Sequence, residues 1–210
     1  MHVRTRIKIC GLTREEDVDA AVNAGADAIG LVFYPPSPRC ISIERAAALC
    51  RLVPAFVTVT GLFVNAEESF IRERMDALPL TCLQFHGDET ASECGGYRLP
   101  YIKAARVKPG VDLLNYAASF PDARGLLLDT WVAAYGGSGK TFDWNLIPQN
   151  MPLPLILSGG LDAGNVGEAV RRVRPWAVDV SSGVEVAHAK GIKDAAKIAA
   201  FIAGVRNADG

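Results

Sequence analysis

The sequence is poor in the features that direct a protein to membranes or nucleic acids. Its 22 lysines and arginines nearly balance 23 aspartates and glutamates, which gives a formal net charge of −1. A chain without an excess of one sign offers no basic surface to a nucleic acid or an acidic membrane. The N-terminus is polar and no apolar run approaches the length of a membrane span, so we expect neither a signal peptide nor an anchor.

Cysteine and histidine are scarce, which excludes two further classes of protein. The five cysteines are odd in number and form no C-x-x-C pair, so neither a disulfide framework nor a zinc knuckle is expected. The three histidines are not spaced with aspartates as zinc ligands would be. We therefore predict a cytoplasmic protein that holds no metal and whose partner is a small molecule.

The sequence does contain eight short apolar runs that alternate with segments of helical periodicity. Continuous apolar runs are typical of parallel strands covered on both faces. Eight strand-then-helix units without a linker predict one domain over residues 1–210, an α/β (β/α)8 TIM barrel of near-minimal size. An open doubly wound sheet is the alternative, but it would more often have fewer strands and a Gly-x-Gly-x-x-Gly turn after the first. The predicted strands are residues 7–11, 28–33, 56–63, 80–85, 101–104, 125–129, 153–157 and 176–180.

Helix boundaries are predicted from residues that cap helix ends. Thr13, Ser42 and Asn65 are the expected N-terminal caps of the first three helices, because their side-chain oxygens can accept backbone hydrogen bonds. Gly25 is the expected C-terminal cap of the first helix. The predicted helices are residues 13–23, 44–52, 65–75, 89–93, 111–119, 162–173 and 192–205.

Polar side chains follow several of the predicted strands, at the end of a parallel barrel where ligands bind. A thiol and carboxylates that face one funnel suggest proton transfer more than hydrolysis by a triad. An unpaired cysteine usually only packs, however, and His86 could simply be satisfied by packing against Gln84. Asp179 is expected to bind a sugar hydroxyl or to support its neighbours. The residues concerned are Cys10, Arg39, His86, Asp129 and Asp179.

Two glycine-containing turns follow the last two strands. Barrels bind phosphate at this place, where backbone N–H groups converge and glycine lets the anion approach closely. We therefore predict a phosphate site at Gly159, Gly160, Ser182 and Gly183. The alternative is that these glycines only make tight turns between strand and helix.

Short polar and glycine-containing motifs occur from one end of the sequence to the other. They are Lys8-Ile9-Cys10-Gly11, Ser37-Pro38-Arg39, Gln84-Phe85-His86-Gly87, Leu128-Asp129-Thr130, Gly137-Ser138-Gly139 with Phe142-Asp143-Trp144, Gly159-Gly160-Leu161 with Asn165-Val166, and Asp179-Val180-Ser181-Ser182-Gly183-Val184-Glu185 with Lys193-Asp194. In these motifs and in their order the chain resembles the phosphoribosylanthranilate isomerases of tryptophan biosynthesis. The departures are small: Phe85 stands where the family usually has Leu, Ser158 where it often has Ala, and residues 187–191 replace its Pro-Gly.

The resemblance implies an aldose–ketose isomerase without a cofactor, acting on a phosphosugar. It would convert N-(5-phosphoribosyl)anthranilate to 1-(o-carboxyphenylamino)-1-deoxyribulose 5-phosphate by an Amadori rearrangement. Asp129 would be the general acid, Cys10 the general base, and Arg39 would bind the anthranilate carboxylate, with His86 and Asp179 also at the substrate. A monomer or a weak homodimer is expected.

Three rival interpretations remain at this point. Ribulose-phosphate epimerase and indole-glycerol-phosphate synthase are other phosphosugar barrels, but the sequence shows neither the paired metal ligands of the first nor the lysine and glutamate set of the second. A phosphate-binding module without catalysis is the third, although both Cys10 and Asp129 are retained.

Overall fold

Eight parallel strands close into a barrel, as the sequence predicts. The structure is a computed structural model and describes residues 4–130 and 141–210. Strand β1 pairs with β2 on one side and with β8 on the other, in a register that places Lys8 opposite Asp179, so the sheet closes on itself. The strands are β1 (Arg6–Cys10), β2 (Ala28–Val32), β3 (Thr58–Phe63), β4 (Cys82–Phe85), β5 (Tyr101–Val107), β6 (Gly125–Thr130), β7 (Leu155–Leu157) and β8 (Ala177–Val180).

Six of the seven α-helices in the described chain connect one strand to the next, and the seventh follows β8. Between β6 and β7 the described residues form a 3₁₀ helix, Trp144–Leu146, where an eight-unit pattern would place an α-helix. No helix within the described ranges is long and apolar enough to cross a membrane. The helices are α1 (Glu15–Ala24), α2 (Ile43–Cys50), α3 (Glu68–Ala77), α4 (Ala91–Gly95), α5 (Leu113–Ala118), α6 (Val166–Val173) and α7 (Ala195–Ala208).

Two of the predicted helix caps are wrong, for the same reason. Thr13 does not cap α1, because its hydroxyl donates to the Gly191 carbonyl oxygen at 2.7 Å. Asn65 does not cap α3, because its side-chain oxygen accepts from the Asp88 N–H at 2.7 Å. Both side chains have partners far away in sequence, which local spacing cannot reveal.

The other two caps are confirmed. The Ser42 hydroxyl accepts a hydrogen bond from the Arg45 N–H at 3.2 Å, at the start of α2. Gly25 ends α1 in the left-handed region, at φ 93°, where a residue without Cβ is least strained.

Four strands differ from their predicted bounds by two residues or more, and two of these, β4 and β7, begin two residues late, at Cys82 and Leu155. Strand β3 begins at Thr58 instead of residue 56, and Phe56 before it is fully exposed (101%). Strand β5 continues to Val107 instead of ending at residue 104, and it carries Lys103, whose side chain is fully buried. A buried lysine is costly unless it has partners, and these are described below.

The barrel interior is filled by side chains of the last four strands. Ala104, Leu127, Ile156 and Ala177 form one buried cluster there. A larger apolar cluster, which includes Phe201 of α7, packs the strands against the helices. Because the interior is filled, a ligand can enter only at an end of the barrel.

Candidate active site

One cavity lies at the carboxyl ends of the strands and gathers eight of the nine predicted site residues. Gly183 is the exception. Four more side chains, Val32, Tyr34, Leu62 and Val64, give the cavity an apolar wall. The predicted residues that line it are Cys10, Arg39, His86, Asp129, Gly159, Gly160, Asp179 and Ser182.

Cys10 ends β1, and the structure makes room for its thiol. A Cβ on the neighbouring Gly30 would lie 2.6 Å from the Cys10 Sγ, so glycine is needed there. Lys8 lies two residues earlier on β1 and therefore points to the same face. Its ammonium donates to Asp179 Oδ1 at 2.8 Å, with both side chains almost fully buried. The thiol therefore has a buried ion pair as its neighbour.

The surroundings of Cys10 raise the pKa of its thiol. Burial is the largest cause, since it disfavours the thiolate, while Lys8 and, more weakly, Lys193 lower this pKa. For Lys8 itself, burial favours the neutral amine, but Asp179 and Cys10 together hold the lysine pKa above its usual value. In the cavity as it stands, Cys10 is thus a protonated thiol beside a permanent cation.

Arg39 enters the cavity with part of its guanidinium already engaged. Its Nε and Nη2 donate to the two Glu185 carboxylate oxygens at 2.7 and 2.9 Å, and Arg39 is only 6% exposed. Lys193 Nζ and the Gly191 N–H also donate to Glu185 Oε1, each at 3.1 Å. Burial would raise the pKa of Glu185, but Arg39 and Lys193 hold it below the usual value. The guanidinium is therefore fixed by Glu185 on one side.

Asp129 is held by a short chain of hydrogen bonds on the other side of the cavity. Its Oδ1 accepts from the Thr130 N–H at 2.8 Å, and its Oδ2 lies 3.1 Å from His86 Nε2. The other ring nitrogen, His86 Nδ1, lies 3.0 Å from Gln84 Nε2. His86 therefore packs against Gln84, as one interpretation proposed, and also contacts the predicted acid.

A buried ion pair supports the loop that carries His86. Lys103 Nζ donates to the Gly87 carbonyl oxygen at 2.7 Å and to Glu89 Oε2 at 2.8 Å. Glu89 in turn accepts from the backbone N–H groups of Gly87 and Asn65. These bonds satisfy the buried charge of Lys103 and fix the backbone next to the imidazole.

The turn after β7 leaves backbone donors available to a ligand. Gly159 and Gly160 have φ angles of 81° and 65°, which favour glycine. A Cβ on Gly159 would lie 2.4 Å from the Thr130 hydroxyl oxygen, so this turn also packs closely against β6. Among the described residues, the N–H groups of Gly159, Gly160 and Ser182 donate to no protein acceptor. Such a concave group of N–H donors is suited to an anion.

Gly183 has a structural reason to be glycine that the sequence did not suggest. A Cβ at this position would lie 1.9 Å from the Leu161 carbonyl oxygen. The loop after β8 therefore packs directly on the loop after β7, with backbone against backbone. Gly183 itself does not line the cavity, but the preceding residue, Ser182, does.

Comparison with known proteins decides the family. A family model described as N-(5'-phosphoribosyl)anthranilate (PRA) isomerase matches residues 7–204. The chain belongs to the phosphoribosylanthranilate isomerase family. A member from Dechloromonas aromatica is 65% identical over 207 residues, which cover 99% of each chain. A second, from Methylibium petroleiphilum, is 58% identical and covers 99% of this chain and 96% of its own.

Solved structures of phosphoribosylanthranilate isomerases have the same fold. The enzyme from Thermotoga maritima is 43% identical, with a TM-score of 0.87, over 97% of this chain and 99% of its own. Another structure of such an isomerase, 40% identical with a TM-score of 0.84 and the same coverage, holds reduced 1-(o-carboxyphenylamino)-1-deoxyribulose 5-phosphate. The barrel and the family resemblance predicted from the sequence are thus confirmed.

Several polar and charged residues of the site were missed or undervalued by sequence reasoning. Glu185 and Lys193 appeared only as parts of a motif, and Gln84 only as a packing neighbour of His86. Lys8 could have been found from its spacing, because residues i and i+2 of a strand share a face with Cys10. Lys103 could have been found as a lone charge within an apolar run.

Arg6 shares β1 with Cys10 but does not line the cavity. Arg6, at the opposite end of β1, stacks on the Trp176 ring with 4.6 Å between guanidinium carbon and ring centroid, so it is remote from the cavity. Residues 137–139 of the family motif and Lys140 fall outside the described residues. Within the described ranges, no three His, Cys, Asp or Glu side chains are grouped so that they could hold a metal ion.

Proposed function

We propose that this protein catalyses the Amadori rearrangement of N-(5-phosphoribosyl)anthranilate to 1-(o-carboxyphenylamino)-1-deoxyribulose 5-phosphate. The observation that carries the proposal is that Cys10 and Asp129 line one cavity together with the Gly159 turn. This reaction requires a general acid, a general base and hydrogen-bond donors that hold the phosphate. Family membership supports the same choice.

In the proposed first step Asp129 is the general acid. It gives a proton to the furanose ring oxygen as the bond from that oxygen to C1 breaks. The lone pair of the anthranilate nitrogen forms the C1–N double bond, which yields a protonated Schiff base. The hydrogen bond from the Thr130 N–H and the contact with His86 Nε2 hold the carboxyl group in one orientation for this transfer.

In the proposed second step Cys10 is the general base. Its thiol first releases its proton to solvent, and the thiolate then takes the proton from sugar C2. The electrons of that C–H bond form the C1–C2 double bond of an enolamine, and the iminium nitrogen is neutralised. The enolamine then gives the ketone when the C2 hydroxyl loses its proton and C1 gains one. The buried ammonium of Lys8 stabilises the thiolate that this step requires.

Arg39 and the apolar wall are suited to the anthranilate group. Glu185 occupies the Nε side of the guanidinium, so its Nη1 edge remains for the substrate carboxylate. Val32, Leu62 and Val64 offer the aromatic ring an apolar surface. Arg39 thus binds and orients the substrate and takes no part in proton transfer.

The 5-phosphate is proposed to lie at the turns after β7 and β8. The N–H groups of Gly159, Gly160 and Ser182 are the donors, and Gly183 keeps the two turns in contact. For Asp179 we favour the supporting role, because its carboxylate is buried against Lys8 and not directed at a sugar hydroxyl.

We also propose a cytoplasmic location and a monomer or weak homodimer. All five cysteines are free, which suits a reducing compartment. A related isomerase from Thermotoga maritima is described as dimeric, so gel filtration with light scattering over a range of concentrations is the direct test for this chain.

Turnover of N-(5-phosphoribosyl)anthranilate tests the proposed activity. The purified protein, in the presence of a chelator, should convert this substrate to the ketone product, which chromatography separates from the aminoaldose. Binding without conversion would instead favour the phosphate-binding module. Conversion of a ribulose phosphate in place of this substrate would favour the epimerase.

A further inference from the structure

The chain beyond β8 folds back as a hairpin, residues 185–193, that carries two buried charges to Arg39. Glu185 and Lys193 form an antiparallel bridge, so they stand directly opposite each other and their side chains lie on one face. The Val186 N–H donates to the Ile192 carbonyl oxygen at 2.9 Å and holds the two arms together. Glu185 is 6% exposed and Lys193 is 2% exposed. Buried charges are costly unless their partners are well placed, so this pair calls for an explanation.

Both carboxylate oxygens of Glu185 are engaged by protein groups. Oε2 accepts from Arg39 Nη2 at 2.9 Å, and Oε1 accepts from Arg39 Nε at 2.7 Å. Oε1 also accepts from Lys193 Nζ and from the Gly191 N–H, each at 3.1 Å. Two contacts from one rigid guanidinium fix its plane as well as its position. Glu185 does not line the cavity, so it can act on a ligand only through Arg39.

The ammonium of Lys193 is also fully used by the protein. Nζ donates to the Ser181 carbonyl oxygen at 3.0 Å, to the Ser181 hydroxyl at 3.3 Å and to Glu185, which gives three acceptors for three protons. Burial lowers the pKa of Lys193, and the charge of Glu185 opposes that shift. Lys193 does not line the cavity either, so it serves Glu185 as a counter-ion and does not bind the ligand.

The stem of Arg39 is confined as well. A Cβ on Gly11 would lie 2.5 Å from the Arg39 Cδ, so the stem passes directly over the Gly11 backbone. A Cβ on Gly191 would lie 2.9 Å from the Pro38 carbonyl oxygen, so the hairpin also packs on the residue before Arg39. Because Glu185 takes the Nε side, the free donors of the guanidinium are those of its Nη1 edge, which includes the second N–H of Nη2.

We infer that Glu185 is a positioning residue for substrate recognition, which directs the Nη1 edge of Arg39 at the anthranilate carboxylate while Lys193 balances its charge. The inference rests on the proposed function, in which Arg39 binds that carboxylate. Without Glu185, part of the binding energy would be used to order the guanidinium. The cluster of two cations and one anion also keeps one net positive charge, which matches the single negative charge of the carboxylate.

Orientation and net charge can be separated, because two variants change them in opposite ways. Lys193→Met removes the net charge of the cluster but keeps the contact between Arg39 and Glu185. Glu185→Gln combined with Lys193→Met keeps one net positive charge, that of Arg39, and removes the bidentate contact. The contact is lost because a glutamine amide offers one acceptor oxygen and turns an NH₂ donor towards the guanidinium.

Calorimetry of two ligands measures the effect on recognition. The first is reduced 1-(o-carboxyphenylamino)-1-deoxyribulose 5-phosphate, and the second is the same compound without its carboxyl group. The ratio of their dissociation constants cancels the contribution of the phosphate. This ratio should be about ten- to a hundredfold in the wild type and should stay within about threefold of that value in Lys193→Met. In the double variant it should fall roughly tenfold, and turnover should show a higher KM with kcat little changed.

A second charge-matched variant covers the case in which the double variant does not fold. Glu185→Asp keeps both buried cations paired, but its carboxylate is one methylene too short to hold Nε and Nη2 together, so the ratio should fall here too. Glu73→Gln is the matched control, because it removes an exposed carboxylate that contacts the Arg74 guanidinium at 2.7 Å, and it should leave the ratio unchanged. Thermal unfolding shows which variants are folded.

The outcomes separate this inference from the function on which it rests. Wild-type ratios in the double variant or in Glu185→Asp overturn the inference. A ratio that is lost in Lys193→Met but kept in the double variant also overturns it, because net charge would then decide recognition. A wild type that isomerises the substrate but binds both ligands equally contradicts the role of Arg39 and, with it, that of Glu185. A wild type that discriminates as expected but does not isomerise the substrate overturns the proposed function and leaves the positioning of Arg39 standing.

Discussion

The two sides of the cavity hold their predicted proton-transfer groups by different means. On the side of β1 and β8, Cys10 adjoins the buried Lys8–Asp179 ion pair, whose charges are fixed. On the side of β4 and β6, Asp129 accepts from the Thr130 N–H and lies 3.1 Å from His86 Nε2, and its side chain is still partly exposed. The proposed base therefore has a buried ion pair beside it, whereas the proposed acid is held by hydrogen bonds at a partly exposed position.

This difference follows from the task of each group. A thiol in an apolar site needs a nearby cation before it can become a thiolate, and a buried lysine supplies one at every pH near neutrality. A carboxylic acid that must be protonated and then ionised within one turnover would be hindered by a fixed charge. Four predictions test this comparison, from the largest expected effect to the smallest.

Removal of either proton-transfer group should nearly abolish turnover. Cys10→Ser replaces the thiol with a hydroxyl, a far poorer base, and Asp129→Asn removes the transferable proton. Each should lower kcat by roughly 10²–10⁴-fold while substrate affinity stays close to normal. Steady-state kinetics and a separate binding titration measure the two effects, and Cys50→Ser, outside the cavity, is the control. Near-normal kcat in either variant would show that its assigned role is wrong.

Lys8→Met should harm both stability and the pH profile. It leaves Asp179 buried and unpaired, which costs about 3–5 kcal/mol in the free energy of unfolding. Because Lys8 lowers the pKa of the Cys10 thiol, its loss should move the pKa seen in kcat/KM to more alkaline pH. Denaturant unfolding and a pH–rate profile are the measurements.

The double variant Lys8→Met with Asp179→Leu is the matched control for that prediction. It removes both charges, so it should recover most of the lost stability. The pKa of its thiol should rise less than in Lys8→Met, because the loss of Asp179 removes an anion that raises this pKa. A Lys8→Met single variant with a wild-type pH profile would mean that Lys8 serves the fold alone.

Arg39→Ala should act on binding more than on chemistry. A charge-assisted contact contributes roughly 1.5–3 kcal/mol, so kcat/KM should fall by about ten- to a hundredfold, mainly through KM. An analogue without the anthranilate carboxylate should be handled poorly, and about equally, by the wild type and by Arg39→Ala. The coupling energy between the two changes tests the contact directly, and a coupling near zero would assign the carboxylate to another residue.

Gly183→Ala should have the smallest effect on kcat, with a rise in KM as its main kinetic effect. The new Cβ would push the turn after β8 away from Leu161 and separate the donors proposed for phosphate. Inorganic phosphate should compete with substrate in the wild type and compete less well in the variant. Gly95→Ala is a suitable control, because a Cβ there meets nothing within 4 Å. A silent Gly183→Ala variant together with noncompetitive phosphate would count against this site.

The sequence predicts the barrel well because burial leaves a local signal. Every strand is an apolar run, and the order of runs and helices determines which strands are neighbours. The end of a strand is likewise visible in the local sequence. Residues at strand ends, such as Cys10 and Asp129, could therefore be identified as facing one funnel.

The contacts between distant parts of the chain could not be predicted in this way. Thr13 and Asn65 have the appearance of helix caps, but each bonds to a loop far along the chain. Likewise the bidentate contact of Arg39 with Glu185 joins residues on opposite sides of the β1–β8 closure, and only the folded barrel brings them together. A single sequence therefore predicts where the strands lie better than it predicts which side chains pair.

The backbone contact between Gly183 and Leu161 has a consequence for protein engineering. Loops on barrels are often treated as exchangeable modules, each transplanted without its neighbours. Here the loops after β7 and β8 contact each other through backbone atoms, so no side chain can move to relieve a clash. A chimaera that receives only one of these loops would pack it against a foreign backbone that does not fit it. The two loops must therefore be exchanged together.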